Sequence, residues 1–334
     1  MGEEGKKDIG ENPQMKVIDL PRGRYRDKSI YGRVVKLCID RWSSIDGIRA
    51  IYQIGGVSAP GVSDLDVMLV LDNFPARIEL PGGEDVEFAF MHSPFFCDVE
   101  LWRSRFFFLV PGGERLLWGE DIGLEKLGKE EMDLLRRLLA YEYLIDTLLS
   151  IFYQLKRRRV GWRPILCTLH SLRADFELLG REYPLEAEVK RWRNSMELPT
   201  PKQAEEILQK AVDGMLGLLR ERRGLVDAVS YGKGFRPVGI VGYVIRSRDV
   251  FLKWRLGKGL LGLPEEVYDF VFGKWKGNEE LWERRQRAIA KWLLLAGEVE
   301  GASPMLTRLL WRGKLSFKRR LFERFVEGLI KCGF

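Results

Sequence analysis

Cysteine and histidine are scarce in this chain: its 334 residues hold four Cys and two His. The cysteines (Cys38, Cys97, Cys167 and Cys332) are scattered, and no two have the C-x-x-C spacing. They read as reduced thiols of a cytosolic protein, not as a disulfide framework. The opening M-G-E-E-G-K-K-D is polar and charged and does not read as a targeting segment. No apolar run approaches the roughly 20 residues that a bilayer-spanning helix needs, and Trp292 to Gly297 is far too short. A loop of the form G-x-x-x-x-G-K-[ST] is missing, as are internal repeats and low-complexity tracts. One G-x-G-x-x-G match, Gly257 to Gly262, is followed at once by Pro264 and has no βαβ frame, so it reads as a turn.

Charge, in contrast, is plentiful. Charged residues make up 31% of the chain, with 55 Lys and Arg against 48 Asp and Glu, for a net charge of +7. Abundant Lys, Arg and Glu give a thermophile-like composition. A basic balance favours anionic partners such as nucleotides or nucleic acid, and the alternative is a solvated surface. The length suggests two domains or three small ones, and 46% hydrophobic residues can fill a core.

The most informative stretch is Ile54 to Leu71, I-G-G-V-S-A-P-G-V-S-D-L-D-V-M-L-V-L. A hydrophobic run from Ile48 ends at Gly55-Gly56. A turn-rich loop follows, and Ser63-Asp64-Leu65-Asp66 opens a second apolar run. Such runs, bounded by Gly and Pro, read as buried strands. Residues two apart on a strand share a face, so Asp64 and Asp66 would present their carboxylates side by side. Two carboxylates that close repel unless a cation lies between them. Oxygen ligands suit a hard cation such as Mg²⁺, which binds through one or two carboxylates plus substrate phosphates. Gly55 and Gly56 leave room for a triphosphate to reach backbone N–H groups. Ser63-Asp64 read alone is also an ordinary turn or helix-cap pair.

This stretch resembles the signature of the DNA polymerase β-like nucleotidyltransferase superfamily, small stand-alone prokaryotic or archaeal type. That signature is a hydrophobic residue, Gly, Gly or Ser, a short loop, then Asp-x-Asp or Asp-x-Glu in a strand. The resemblance covers roughly residues 30 to 125. It implies a third acidic residue on a later strand, for which Asp98 and Glu100 in F-F-C-D-V-E-L-W are the main candidates and Glu87 an outside one. It also implies that Arg115 to Asp121, with its Leu-Leu-Trp-Gly, closes the catalytic domain. Asp64, Asp66, and Asp98 or Glu100 would then be catalytic, with Asp64, Asp66 and Asp98 holding one or two Mg²⁺ or, alternatively, Mn²⁺. Gly55, Gly56, Ser58 and Ser63 would line the phosphate loop. Two positions depart from the family pattern. Gly56 stands where Ser is usual, and Ala59 stands where a basic residue is frequent. Ser58 or Ser63 would supply the hydroxyl instead.

The expected fold is α+β: a nucleotidyltransferase-like mixed sheet with flanking helices, then a mainly helical C-terminal region. A polar lead-in over 1–26 is expected to be loosely packed, and a catalytic domain spans 27–125. Within it a helix is predicted from Asp27 to Trp42, with strands over Ile48–Ile54, Val67–Leu71, Asp85–Met91 and Phe95–Trp102, and a short one over Ala76–Leu80. A helical domain spans 126–224, with helices over Glu130–Lys156, Trp162–Leu179, Leu185–Met196 and Thr200–Arg223. His170, alone on an apolar-rich helix, is expected to be a packing residue. Lys156 to Arg159 complements the dipole at a helix end, or contacts phosphate. Residues 225–334 are mainly helical with a possible small β-element. Near the C-terminus, Arg308, Arg312, Lys314, Lys318, Arg319, Arg320 and Arg324 interleave with Trp311, Phe317, Phe322 and Phe325. That pattern suits an amphipathic helix with inward aromatics or a nucleic-acid surface.

The resemblance implies a Mg²⁺-dependent nucleotidyltransferase. It would move a nucleoside monophosphate from a triphosphate such as ATP to an acceptor hydroxyl on a small molecule, an RNA end or a protein. The rival expectation is a catalytically silent module of the same fold that binds nucleic acid or a protein partner, with an antitoxin-like regulator as a third. No membrane partner is expected.

Overall fold

The computed structural model describes residues 14–72, 78–92, 94–104, 113–195, 197–221, 226–227 and 274–275. The Gly257 to Gly262 turn, all but four residues (226, 227, 274 and 275) of the mainly helical stretch expected over 225–334, and the basic, aromatic C-terminal stretch lie outside these residues.

The chain is a mixed α+β fold. Residues 14–26 are not loose. Strand β1 (Lys16–Ile18) pairs in parallel with β6 (Arg159–Gly161), and Met15 and Tyr25 are buried. Tyr25 stacks flat on Phe88, centroids 3.6 Å apart. Two buried side chains thus tie down a segment that is rich in charged residues.

Helix α1 (Lys28–Trp42) begins where Asp27 accepts from the Ser29 amide at 2.8 Å, a side-chain cap. Its buried residues, Tyr31, Val34, Cys38 and Trp42, fall on one face and pack into the core. Next come β2 (Ile48–Ile54) and β3 (Asp66–Leu71), whose residues are nearly all buried. This is why β3 reads as an apolar run without alternation and β2 as one interrupted only by Arg49 and Gln53. The four-stranded sheet has the order β4-β3-β2-β5. Strands β2 and β3 are antiparallel, β4 (Phe95–Asp98) lies parallel to β3, and β5 (Glu114–Gly119) forms the other edge, antiparallel to β2.

Two expected strands are corrected. Residues 84–89 form a helix, α2 (Glu84–Ala89). The partial alternation of Val86, Phe88 and Phe90 suggested a strand. However, Glu84, Asp85 and Glu87 all sit in a first turn, where a helix dipole favours negative charge. The strand expected over Phe95–Trp102 stops at Asp98, because the Asp98 carboxylate accepts from the Leu101 amide at 2.7 Å and starts α3 (Val99–Ser104). Residues 78–80, expected to end a short strand, are irregular.

The helical region follows as expected: α4 (Lys129–Lys156), α5 (Trp162–Leu178), α6 (Glu186–Ser195) and α7 (Pro201–Glu221). Thr200 and Gln203 cap α7 reciprocally, Gln203 N to Thr200 Oγ1 at 3.2 Å and Thr200 N to Gln203 Oε1 at 2.8 Å. Helix α4 packs on α5 and α7, and α5 packs on α6. Arg158 in the basic run pairs with Glu205 of α7 at 2.5 Å. A small β-element is present: β7 (Val226–Asp227) pairs antiparallel with β8 (Lys274–Trp275). No described helix is long and apolar enough to cross a membrane.

Candidate metal centre

The loop from Gly55 to Leu65 joins the two central strands and delivers Asp64 and Asp66 to the end of β3. Gly55 turns it with φ of 62°, and its amide donates to the Gly113 carbonyl at 3.2 Å. The Ala59 carbonyl accepts from the amides of Val62 and Ser63, and the Ala59 amide donates to Ser63 Oγ at 3.0 Å. Residues 59–63 therefore form a closed turn around the Ser63 side chain.

Three elements clamp that turn from outside. Tyr31 of α1 accepts from the Gly61 amide and donates to the Ser63 carbonyl, both at 3.0 Å. Arg163 of α5 donates through Nε to the Val62 carbonyl at 3.0 Å, and through Nη2 to the carbonyls of Ser63 and Phe88 at 3.1 and 2.7 Å. Its guanidinium also lies 3.8 Å from the centre of the Phe88 ring. Arg193 of α6 donates through Nη2 to Ser58 Oγ at 2.9 Å and Ser63 Oγ at 2.8 Å. Both arginines are buried, which draws their pKa values down from the usual arginine range. The helical region and the sheet are thus joined at this loop.

Asp64 and Asp66 come together as the sequence implies, and His92 joins them. His92 Nε2 lies 2.9 Å from Asp66 Oδ1 and 3.8 Å from Asp64 Oδ2. One ligand atom from each of the three lies within 4.8 Å of the others. The Asp64 side chain is 13% exposed and that of Asp66 40%, so the pair is sunk on one side and open on the other. Burial, and then the Asp66 carboxylate, push the Asp64 carboxyl up to about 6, against the opposing pull of His92 and Arg163. A divalent cation fits this set. Two carboxylates and an imidazole converge, and the energetic strain on them is excess negative charge.

Asp98 and Glu100 do not join the group. Asp98 lies opposite Leu71, five residues beyond Asp66 along the parallel pair, or roughly 16 Å away at strand spacing. It caps α3, and Glu100 is exposed on that helix, so the two do not share a strand face. Glu87 is exposed on α2. Phe95 pairs with Met68, so the line of β4 reaches the level of Asp66 just before Phe95, where His92 sits. The one signal for His92 in the sequence is its place in His92-Ser93-Pro94, a break ahead of β4 that by itself marks only the end of an element.

The loop residues divide. Ser58 is exposed, and a Cβ on Gly56 would meet nothing within 4 Å. These two form the open face. Ser63 is buried, and its hydroxyl already holds the turn. His170 of α5 reaches this face, with Nε2 3.5 Å from Ser58 Oγ. Burial, and then Arg193, draw its pKa down to about 4, so it is neutral near pH 7. It is therefore not only a packing residue. Comparison with protein-family models, curated proteins and solved structures gave no match, so the reading of this centre rests on its own geometry.

Proposed function

We propose that the chain is a divalent-cation-dependent nucleotidyltransferase, transferring a nucleoside monophosphate from a nucleoside triphosphate to an acceptor hydroxyl and releasing pyrophosphate. The observation that carries this reading is the adjacency of Asp64, Asp66 and His92 to a clamped loop whose open face is Gly56 and Ser58. The resemblance of the Ile54 to Leu71 stretch to the polymerase β-like superfamily supports it. So does the mixed sheet with Asp66 at the start of an inner strand.

Asp64, Asp66 and His92 would hold the cation. When bound, it would neutralise phosphate charge and steady the oxygens of the transferring group. The protein's own part is positioning. Ser58 Oγ accepts from Arg193, and its hydroxyl proton would turn from His170 Nε2, 3.5 Å away, to a phosphate oxygen that enters the loop. Gly56 lets phosphate approach the backbone closely. Arg193 sets a fixed positive charge behind the loop, the role that a basic residue at position 59 would otherwise fill. Asp66, the more open carboxylate, is the one an acceptor hydroxyl could reach.

A second reading, a binding module of this fold that does not transfer, is favoured by one observation: the third member of the group is His92 where a carboxylate was expected. The test is titration of ATP, CTP, GTP and UTP, with a divalent cation and with EDTA, combined with an assay for pyrophosphate release. Cation-dependent binding with release, both lost in Asp64→Asn/Asp66→Asn, is the expected result. Binding without release in any acceptor screen selects the second reading. Binding undiminished in the double variant overturns both.

A further inference from the structure

We propose that His92 makes this centre selective for a borderline first-row transition cation of the Zn²⁺ class over Mg²⁺. The inference rests on the metal-holding part of the reading above and is independent of whether any nucleotide is transferred.

The argument begins with the donor set. Magnesium takes oxygen ligands, demands near-ideal octahedral geometry and dehydrates reluctantly. A third carboxylate would serve it twice, as a hard oxygen donor and as a third negative charge. Here the third position is filled by an imidazole nitrogen 2.9 Å from Asp66 Oδ1 and 3.8 Å from Asp64 Oδ2. A neutral imidazole offers Mg²⁺ little of either. It suits borderline ions, whose affinity for nitrogen donors rises along the first transition row.

The imidazole is also held in place. Its ring packs on Phe95, centroids 4.6 Å apart, and its side chain is only 20% exposed. The following β4 is a largely buried edge strand in register with β3, so the backbone beside His92 is tied to the strand that carries Asp66. Swinging the ring away to leave an all-oxygen site would therefore disturb packing at the start of β4. Of the candidate carboxylate donors named from sequence, Asp98 lies too far along the sheet to replace it, and Glu100 is exposed on α3.

Binding also has a protonation requirement. For Nε2 to face a cation it must present its lone pair, with the ring proton on Nδ1. Nε2 lies 2.9 Å from Asp66 Oδ1, and any proton it carries there would pass to Nδ1 or to solvent when a cation binds.

The experiment uses the whole chain stripped with EDTA and titrated separately with Mn²⁺, Zn²⁺ and Mg²⁺. Pulsed electron paramagnetic resonance on the Mn²⁺ form supplies a readout that needs no activity. The expected result is that Zn²⁺ binds at least about tenfold more tightly than Mg²⁺, with ¹⁴N modulation from one imidazole in the spectrum of the Mn²⁺ form, which serves as the spectroscopic probe. His92→Asp should abolish the ¹⁴N signal and narrow the preference for Zn²⁺ over Mg²⁺ severalfold. Native protein with no ¹⁴N coupling overturns the proposal even if the variant does not fold. So does a preference unchanged in His92→Asp, or Mn²⁺ binding that survives in Asp64→Asn/Asp66→Asn. Loss of nucleotide transfer with the ¹⁴N signal intact would count against the transferase reading and leave this inference standing.

Discussion

Arg193 on α6 donates through Nη2 to the hydroxyl of Ser58, 135 residues earlier in the chain, at 2.9 Å, and the same nitrogen holds Ser63 Oγ at 2.8 Å. One buried guanidinium therefore fixes both serines of the loop, the exposed one and the buried one. Arg193→Gln removes that charge and at least one of the two bonds. A hydrogen bond to a charged group contributes about 1.5–3 kcal/mol, so a loss of stability on the order of 2 kcal/mol is expected. Nucleotide affinity should fall about tenfold or more, because Ser58 is no longer aimed. Cation affinity should change little, because Asp64, Asp66 and His92 keep their own supports. Thermal denaturation and parallel titrations of cation and nucleotide separate these effects. A matching loss of cation affinity would show that Arg193 supports the whole centre and not the loop.

The raised pKa of Asp64 has a definite pH signature. In the cation-free fold the carboxyl keeps its proton up to about pH 6, whereas the unfolded chain loses it near 3.8. The folded state thus holds the extra proton between these values. This contribution to stability is present at low pH and is lost as pH climbs to about 6. Asp64→Asn, which carries no charge at any pH, should stabilise the EDTA-treated chain at pH 8 by on the order of 1–2 kcal/mol and have little effect at pH 4. Cation binding runs the other way. It requires the deprotonated carboxylate, so affinity should fall as pH is lowered through about 6, with proton release on binding below that point. Calorimetry in buffers of different ionisation enthalpy measures the release directly.

Asp98 provides a test of the corrected site. Its carboxylate accepts from the Leu101 amide at the start of α3, so Asp98→Ala should cost about 1 kcal/mol as the loss of a helix cap. Cation affinity should stay within about twofold of the native chain, as expected for a residue at the far end of β3 from Asp66. Thermal denaturation gives the first value and Mn²⁺ titration the second. A Mn²⁺ affinity that drops tenfold in Asp98→Ala would return Asp98 to the centre.

The central sheet and the long helices were legible because burial imposes patterns on them. Ile48–Ile54 and Asp66–Leu71 are covered on both faces and read as apolar runs, while α4 to α7 repeat apolar residues at helical spacing. Asp64 and Asp66 were legible because both belong to one short stretch. The rest of the centre depends on contacts that no short stretch contains. His92 reaches Asp66 through the register of β4 on β3, and Arg163 and Arg193 reach the loop from helices about 100 and 130 residues later. The third carboxylate was placed on Phe95–Trp102 on the premise that this strand runs unbroken. A single cap at Asp98 breaks it, turning Glu100 onto a helix. Similarly, Phe88 alternates with its neighbours as a strand residue would, yet its ring packs between Tyr25 and Arg163 from a helix.

Gly56 and Gly119 predict opposite outcomes for the same kind of change. At Gly56 a Cβ would meet nothing within 4 Å, and the backbone is not in the left-handed region. At Gly119, φ is 90° and a Cβ would fall 2.2 Å from the Arg49 carbonyl oxygen and 2.9 Å from Ala50 Cα. Gly119 ends β5 where it pairs with Ala50 of β2, and that approach leaves no room for a side chain. Gly119→Ala should therefore destabilise the fold by on the order of 2 kcal/mol or more, through clash and a disfavoured φ together. Gly56→Ser should leave stability within about 0.5 kcal/mol of the native value, the usual range for a tolerated surface change. It also places a hydroxyl on the open face beside Ser58, where the superfamily pattern has one. If that face receives phosphate, triphosphate affinity should rise severalfold while Mn²⁺ affinity measured without nucleotide stays unchanged. Denaturation of both variants and nucleotide titration of Gly56→Ser check the pair. A Gly56→Ser chain that is stable and binds triphosphate less well would mean that the open face is shaped for something other than phosphate.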